Sequence, residues 1–274
     1  MDFEDQYLSK SGYECLLFDV DDTLYPFSSG LSTQCTKNIT AYMIQHLGMD
    51  ATNASEMCLK LYKDYGTTMS GLRAIGYDFD DDHYHSLVHG RLPYQNLKPD
   101  PVLRNLLHSI PIRKVIFSNA DEAHVAKVLS ILGLEDCFES VICFETLNPT
   151  HKSNIIRDGD AINSDEDKND SAFLESPIIC KPFKIAFEEA FKIANINPEK
   201  TLFFDDSARN LQTATCMGLH TMAVGSSKRA KGVDYALESI HNIREALPEL
   251  WETLENSEGV QYYREAAIET IVRA

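Results

Sequence analysis

The stretch Cys15-Leu16-Leu17-Phe18-Asp19-Val20-Asp21-Asp22-Thr23-Leu24-Tyr25-Pro26 decides the fold. Its first four residues form an unbroken apolar run, which suits a parallel strand covered by helices on both faces. The run then breaks into three carboxylates, Asp19, Asp21 and Asp22, at the carboxyl end of that strand. Open α/β sheets bind ligands in the crevice beyond such ends. Acids crowded there repel one another, so a cation must offset them, and a hard divalent ion with oxygen ligands, Mg²⁺, is the simplest candidate. The plainer reading is a strand followed by an acidic turn.

Further apolar runs recur downstream. Lys114 to Phe117 reads as a strand ending at Ser118 and Asn119, and Asp121 caps a helix carrying Val125, Val128, Leu129 and Leu132. Val141 to Phe144 reads as a third short strand. Ile178 to Lys181 is an apolar run before a helix carrying Phe183, Phe187 and Phe191, with Pro182 in its first turn. Thr201 to Phe204 ends in Asp205, Asp206 and Ser207, and His220 to Val224 follows a helix that Gly218 stops. Strands alternating with helices predict a parallel, doubly wound, Rossmann-like sheet with right-handed crossovers. Asp19, Ser118, Lys181 and Asp206 then converge on one edge.

Between Pro26 and Pro99 no strand run appears. Helical spacing instead joins Leu31, Cys35, Ile39, Tyr42, Met43 and Leu47, and a second helix is expected from about Ser55 to Tyr65. Residues 26–98 are therefore expected to be a helical cap domain inserted after the first strand. The α/β core takes residues 1–25 and 99–274. Within it, residues 145–176 are polar and acidic, the composition of a mobile excursion. His83, His85 and His89 sit near Asp80 to Asp82, and His85 and His89 share a helical face. An acid-capped cap helix accounts for them, and no second metal is expected there. Arg209 and Asn210 are expected to be structural, and the Phe183, Phe187 and Phe191 stripe to pack in the core.

Composition limits the partners. The chain has 274 residues, 43% of them hydrophobic, enough for a full core. Its 42 acidic residues outnumber 25 basic ones, a net charge of -17 that argues against a nucleic-acid polymer or an anionic membrane surface. No apolar run approaches the ~20 residues of a membrane span, and the first ten residues lack the basic and apolar regions of a signal peptide. The 7 cysteines form an odd set with no C-x-x-C pair, which fits reduced thiols. A cytoplasmic protein, or one also nuclear, is the expectation. Cys180 is not expected to be catalytic.

Four pieces in order, Asp19-Val20-Asp21-Asp22-Thr23, Ser118, Lys181 and Asp205-Asp206, together with the inserted helices, make the chain resemble the haloacid-dehalogenase superfamily of phosphohydrolases. The resemblance implies that Asp19 is the nucleophile, forming an aspartyl-phosphate, and that Asp21 is the general acid and then the base. It implies that Mg²⁺ is held by Asp19, the Asp21 carbonyl and Asp206, with Asp205 a water-mediated partner, although the sequence alone does not fix which acid of the pair binds directly. Lys181 would offset the charge of nucleophile and phosphate, and Ser118 and Asn119 would hold phosphoryl oxygens. The acid at Asp21 favours phosphate-ester chemistry over dehalogenation.

The wording around Asp19, with Tyr65-Gly66-Thr67-Thr68 and Phe203-Phe204-Asp205-Asp206-Ser207-Ala208-Arg209-Asn210, further resembles the pyrimidine 5'-nucleotidase group of yeast and plants. That implies small phosphomonoester substrates such as UMP or CMP, with Gly66 to Gly71 a flexible specificity loop on the cap. Phosphatases of sugar or pyridoxal 5'-phosphates, a phosphomutase, and a non-catalytic interaction protein that keeps the fold are the alternatives.

Overall fold

A computed structural model of the chain describes residues 12–149 and 178–252. Six strands form one sheet: β1 (Cys15–Phe18), β2 (Arg113–Phe117), β3 (Ser140–Ile142), β4 (Thr201–Asp205), β5 (His220–Val224) and β6 (Tyr235–Leu237). Their order is β3-β2-β1-β4-β5-β6 and every neighbouring pair is parallel. β1 is central, and the chain leaves it for β2 and β3 on one side, then returns to β4, β5 and β6 on the other. Such a reversal opens a crevice at the carboxyl ends of the strands.

Alternate residues of β1 feed opposite layers, because successive side chains of a strand point to opposite faces. Leu16 and Phe18 pack with Ile116, Leu202 and Phe204 under α5 (Pro101–Ser109) and α6 (Glu122–Leu132). Cys15 and Leu17 pack with Val115, Phe117 and Phe203 under α8 (Lys184–Ile193) and α9 (Ala208–Cys216), where Phe187 and Leu211 are fully buried. Each such side chain contributes about 1.5–3 kcal/mol by leaving water, which fixes the strand ends that carry the acids.

Four α-helices lie between β1 and α5: α1 (Leu31–Gln45), α2 (Ala51–Tyr65), α3 (Thr68–Ala74) and α4 (Asp81–Val88). Tyr42, Met43, Cys58, Leu61, Met69, Leu72, Tyr84 and Val88 form a separate apolar cluster among them, which Phe144, Ile178 and Cys180 extend from the α/β body. Asp50, Thr67 and Asp80 cap α2, α3 and α4 through side-chain oxygens.

Several elements differ from the sequence reading. The third strand stops at Ile142, because Phe144 opens a short helix, α7 (Phe144–Leu147). Ile178 to Lys181 is irregular, and α8 begins at Lys184 after a cis Lys181–Pro182 bond rather than at Pro182. β6 has too few residues to leave a periodic signal. The acidic excursion lies, from residue 150 to 176, outside the described residues, and its first residues form part of α7.

Candidate active site

β1 and β4 run side by side, with Phe18 opposite Phe204, so Asp19 and Asp205 leave the sheet together. The Asp19 N–H donates to the Phe204 carbonyl at 2.8 Å. Lys181 fills the space between them with 1% exposure. Its Nζ donates to Asp19 Oδ1 at 2.8 Å, Asp205 Oδ2 at 2.8 Å and the Phe117 carbonyl at 2.7 Å. Burial works against that ammonium, but Asp19 and Asp205 outweigh it and hold Lys181 charged far above neutral pH.

One lysine does not balance the acids. Burial, with the charges of Asp205 and Asp21, raises Asp19 despite Lys181, and desolvation with Asp205 and Asp19 raises Asp206. Oxygens of Asp19, Asp205 and Asp206 lie within 4.8 Å of one another. Asp205 is already committed: Oδ2 accepts from Lys181, Oδ1 from the Ser207 N–H at 2.8 Å, and both from Asn210 Nδ2 at 3.0 and 3.1 Å. Asp19 and Asp206 thus keep the lone pairs a cation needs. An all-oxygen set carrying surplus negative charge fits a hard ion such as Mg²⁺.

Asp21 faces a different environment. Tyr25 Oη donates to its Oδ1, and His124 Nε2 donates to the same oxygen at 2.8 Å. The other imidazole nitrogen, Nδ1, is 2.8 Å from the Tyr94 hydroxyl. Burial would raise the Asp21 carboxyl, but His124 and Tyr25 hold it well below the usual range. In turn, Asp21 outweighs the burial penalty on His124 and raises its pKa. His124 thus stands one hydrogen bond from Asp21. Sequence reading missed His124 and Tyr25. His124 is 103 residues from Asp21, and a histidine in the first turn of a helix carries no sign of that partner.

Ser118 is buried, and its Oγ accepts the Ala120 N–H at 3.1 Å, leaving the hydroxyl proton to donate. Asn119 acts on Lys181 itself: Oδ1 accepts the Lys181 N–H at 2.8 Å and Nδ2 donates to the Lys181 carbonyl at 2.9 Å. It thereby fixes the backbone that presents the ammonium.

A cavity of about 440 Å³ opens above these residues. Asp19, Asp21, Asn119, Lys181 and Asp206 line its floor, and Leu31, Cys35, Ile39, Leu59 and Tyr62 of α1 and α2 line its walls. Arg209, in the first turn of α9, donates to the carbonyls of Tyr62 at 3.1 Å and Lys63 at 2.9 Å and covers the Tyr62 ring, tying α2 to the core. Gly66, Thr67, Thr68 and Met69 line the cavity, and from Thr68 onward that stretch is α3. Thr67 Oγ1 caps the helix by accepting the Ser70 N–H at 3.1 Å, and Thr68 Oγ1 donates to the buried Cys58 carbonyl at 3.1 Å. The expected flexible loop is corrected accordingly: Met69 and Leu72 bury here and pull the segment into a helix.

The fold is a parallel, doubly wound α/β sheet with an acidic crevice at its strand ends, and comparison with known proteins gives its family. The chain belongs to the haloacid dehalogenase-like hydrolase family, whose pattern matches residues 13–218. Phosphate metabolism protein 8 of Saccharomyces cerevisiae is 26% identical over 211 residues, 74% of this chain and 58% of that protein, so the chain spans less than two thirds of its relative's length. Among solved structures, a HAD phosphatase from Thermococcus onnurineus superposes with a TM-score of 0.53 at 17% identity, covering 88% of this chain and 100% of that one. YfnB of Bacillus subtilis, determined bound to magnesium, superposes with a TM-score of 0.50 at 17% identity, covering 86% and 98%. At that identity the two structures bear on the fold alone.

All seven cysteines are free thiols, and no helix among the described residues is long and apolar enough to cross a membrane.

Proposed function

We infer that this hydrolase is a Mg²⁺-dependent phosphatase of small phosphomonoesters, working through an aspartyl-phosphate on Asp19. The observation that carries the reading is the buried Lys181, donating to Asp19 and Asp205 together, with Asp206 open beside them. Asp19 Oδ2, which takes only a 3.4 Å contact from Thr23 Oγ1, is the oxygen left to attack phosphorus. Attack forms the Asp19 O–P bond and breaks the bond to the leaving oxygen, which takes a proton from the Asp21–His124 pair. The Asp21 carboxylate then accepts a proton from the water that hydrolyses the acyl-phosphate, restoring the pair. Lys181, Ser118 and Asn119 neutralise charge and fix the geometry, the main demands of phosphoryl transfer. Asp19, the Asp21 carbonyl and Asp206 would hold Mg²⁺, with Asp205 steadying Lys181 behind them. When bound, the ion neutralises phosphoryl oxygens.

Residues 26–98 serve as a cap that supplies the leaving-group walls. Those walls are apolar, with Tyr62 among them, and their volume suits an aromatic leaving group such as a nucleoside. Pyrimidine 5'-nucleotides, UMP and CMP, are the proposed substrates. The name of the yeast relative, a phosphate metabolism protein, is in keeping with phosphate-ester chemistry.

The test is phosphate release from a panel of nucleotide, sugar and cofactor phosphates with Mg²⁺, alongside EDTA and Asp19→Asn. Release that both abolish, with UMP and CMP preferred, is expected. Full activity in Asp19→Asn overturns the mechanism, and a requirement for a sugar bisphosphate identifies a mutase instead.

A further inference from the structure

Helix α4 and its cap bring two imidazoles against a core carboxylate, 3.4 Å for His85 Nδ1 to Asp121 Oδ1, with His89 Nδ1 hydrogen-bonded to the same oxygen. Asp80, which neighbours these histidines in sequence, spends its carboxylate on capping α4. Asp121 comes from the loop between β2 and α6, where it caps α6 by accepting the His124 N–H at 3.2 Å, with its other oxygen facing α4.

His85 is the informative member. Its side chain is 9% exposed, yet neither ring nitrogen has a hydrogen-bond partner among the described residues. Phe144 and Tyr84 pack edge-on to the ring and His89 stacks on it, so its faces are occupied while its nitrogens are idle. Buried polar atoms without partners are rare and ask for an explanation.

We propose that His85, His89 and Asp121 form a binding site for a borderline transition-metal ion, Zn²⁺ or Co²⁺, separate from the acidic cluster at Asp19 and Asp206. Donor atoms of the three residues lie within 4.8 Å of one another. Tetrahedral zinc with bonds near 2.0–2.1 Å separates its ligand atoms by about 3.3 Å, close to the spacing between His85 and Asp121. Two imidazoles and one carboxylate select such ions over Mg²⁺. The ion replaces the proton shared by His89 and Asp121, which goes to solvent. His85 and His89 both line the cavity, so water supplies the fourth position. Since His85 and His89 belong to the inserted helices and Asp121 to the sheet body, the bound ion fastens one to the other.

The test uses the full chain, stripped with chelator and returned to saturating Mg²⁺ so that the acidic cluster is occupied. Titration with Co²⁺ is expected to give tetrahedral ligand-field bands that saturate at one ion per chain and vanish on adding Zn²⁺. His85→Ala and His89→Ala are expected to weaken Co²⁺ binding at least tenfold, while Asp206→Asn leaves it unchanged. Circular dichroism checks that the variants fold, and the wild-type spectrum needs no variant. Absence of those bands in the wild type, their persistence in both histidine variants, or their loss in Asp206→Asn overturns the proposal.

Discussion

A lysine ammonium survives at 1% exposure only if every N–H finds an acceptor, and Lys181 has three: Asp19, Asp205 and the Phe117 carbonyl. Removing it leaves two carboxylates facing each other in the interior. Lys181→Met is therefore expected to lower kcat by about 10²–10³ and to destabilise the fold by up to ~3–5 kcal/mol, the usual cost of orphaning a buried charge; steady-state kinetics and urea melts check both. Lys181 and the Asp19 cluster were legible because each ends an apolar run before a helix. The clamp by Asn119 and the partners of Asp21 were not, since a hydrogen bond spanning 62 or 103 residues leaves no local trace. Thiol chemistry gives an independent check at this scale. Burial pushes Cys15 and Cys180 up to about 11, whereas Cys216 is exposed. Iodoacetamide at pH 8 is expected to alkylate Cys216 rapidly and to spare Cys15 and Cys180, as peptide mass spectrometry will read; fast loss of Cys180 would contradict its burial.

At the scale of elements, the junction between α2 and α3 sets how the inserted helices meet the catalytic loop. Gly66 ends α2 at a φ of +83°, and a Cβ there would stand 2.7 Å from the Lys181 carbonyl. Gly66→Ala is thus expected to cost about 1–3 kcal/mol and to displace Lys181, lowering both the thermal midpoint and kcat. Unchanged values would mean that the close approach is slack. Sequence could place Gly66 as a helix stop but not α3 beyond it, because Thr67, Thr68, Ser70 and Gly71 read as a loop. The burial of Met69 and Leu72 overrides that preference. β6 escaped for a related reason: three residues at a sheet edge gain their order from pairing with β5, which composition does not display.

For the molecule as a whole, the alternation of apolar runs and helical stripes predicted a parallel doubly wound sheet, while the strand order β3-β2-β1-β4-β5-β6, which gathers one edge of acids, is seen only in the structure. A chain of net charge -17 with raised Asp19 and Asp206 gains from any cation bound only when folded. Mg²⁺ is expected to raise the thermal midpoint, by a stabilisation of ~2.7 kcal/mol at one hundred times its Kd. Calorimetry should show that EDTA reverses this gain and that Asp206→Asn removes it. An equal gain in Asp206→Asn would move the ion elsewhere.

In the proposed mechanism Asp19 carries the phosphoryl group and Asp21 acts on both sides of that intermediate. An aryl phosphate, whose leaving group needs no proton, separates the two steps. With Asp21→Asn and p-nitrophenyl phosphate, the first step should run while water attack stalls. A burst of one p-nitrophenolate per chain is expected, then slow turnover, with acid-quenched protein carrying one phosphoryl group on the peptide that contains Asp19. Turnover without a burst, or a phosphoryl group on any other residue, would contradict it.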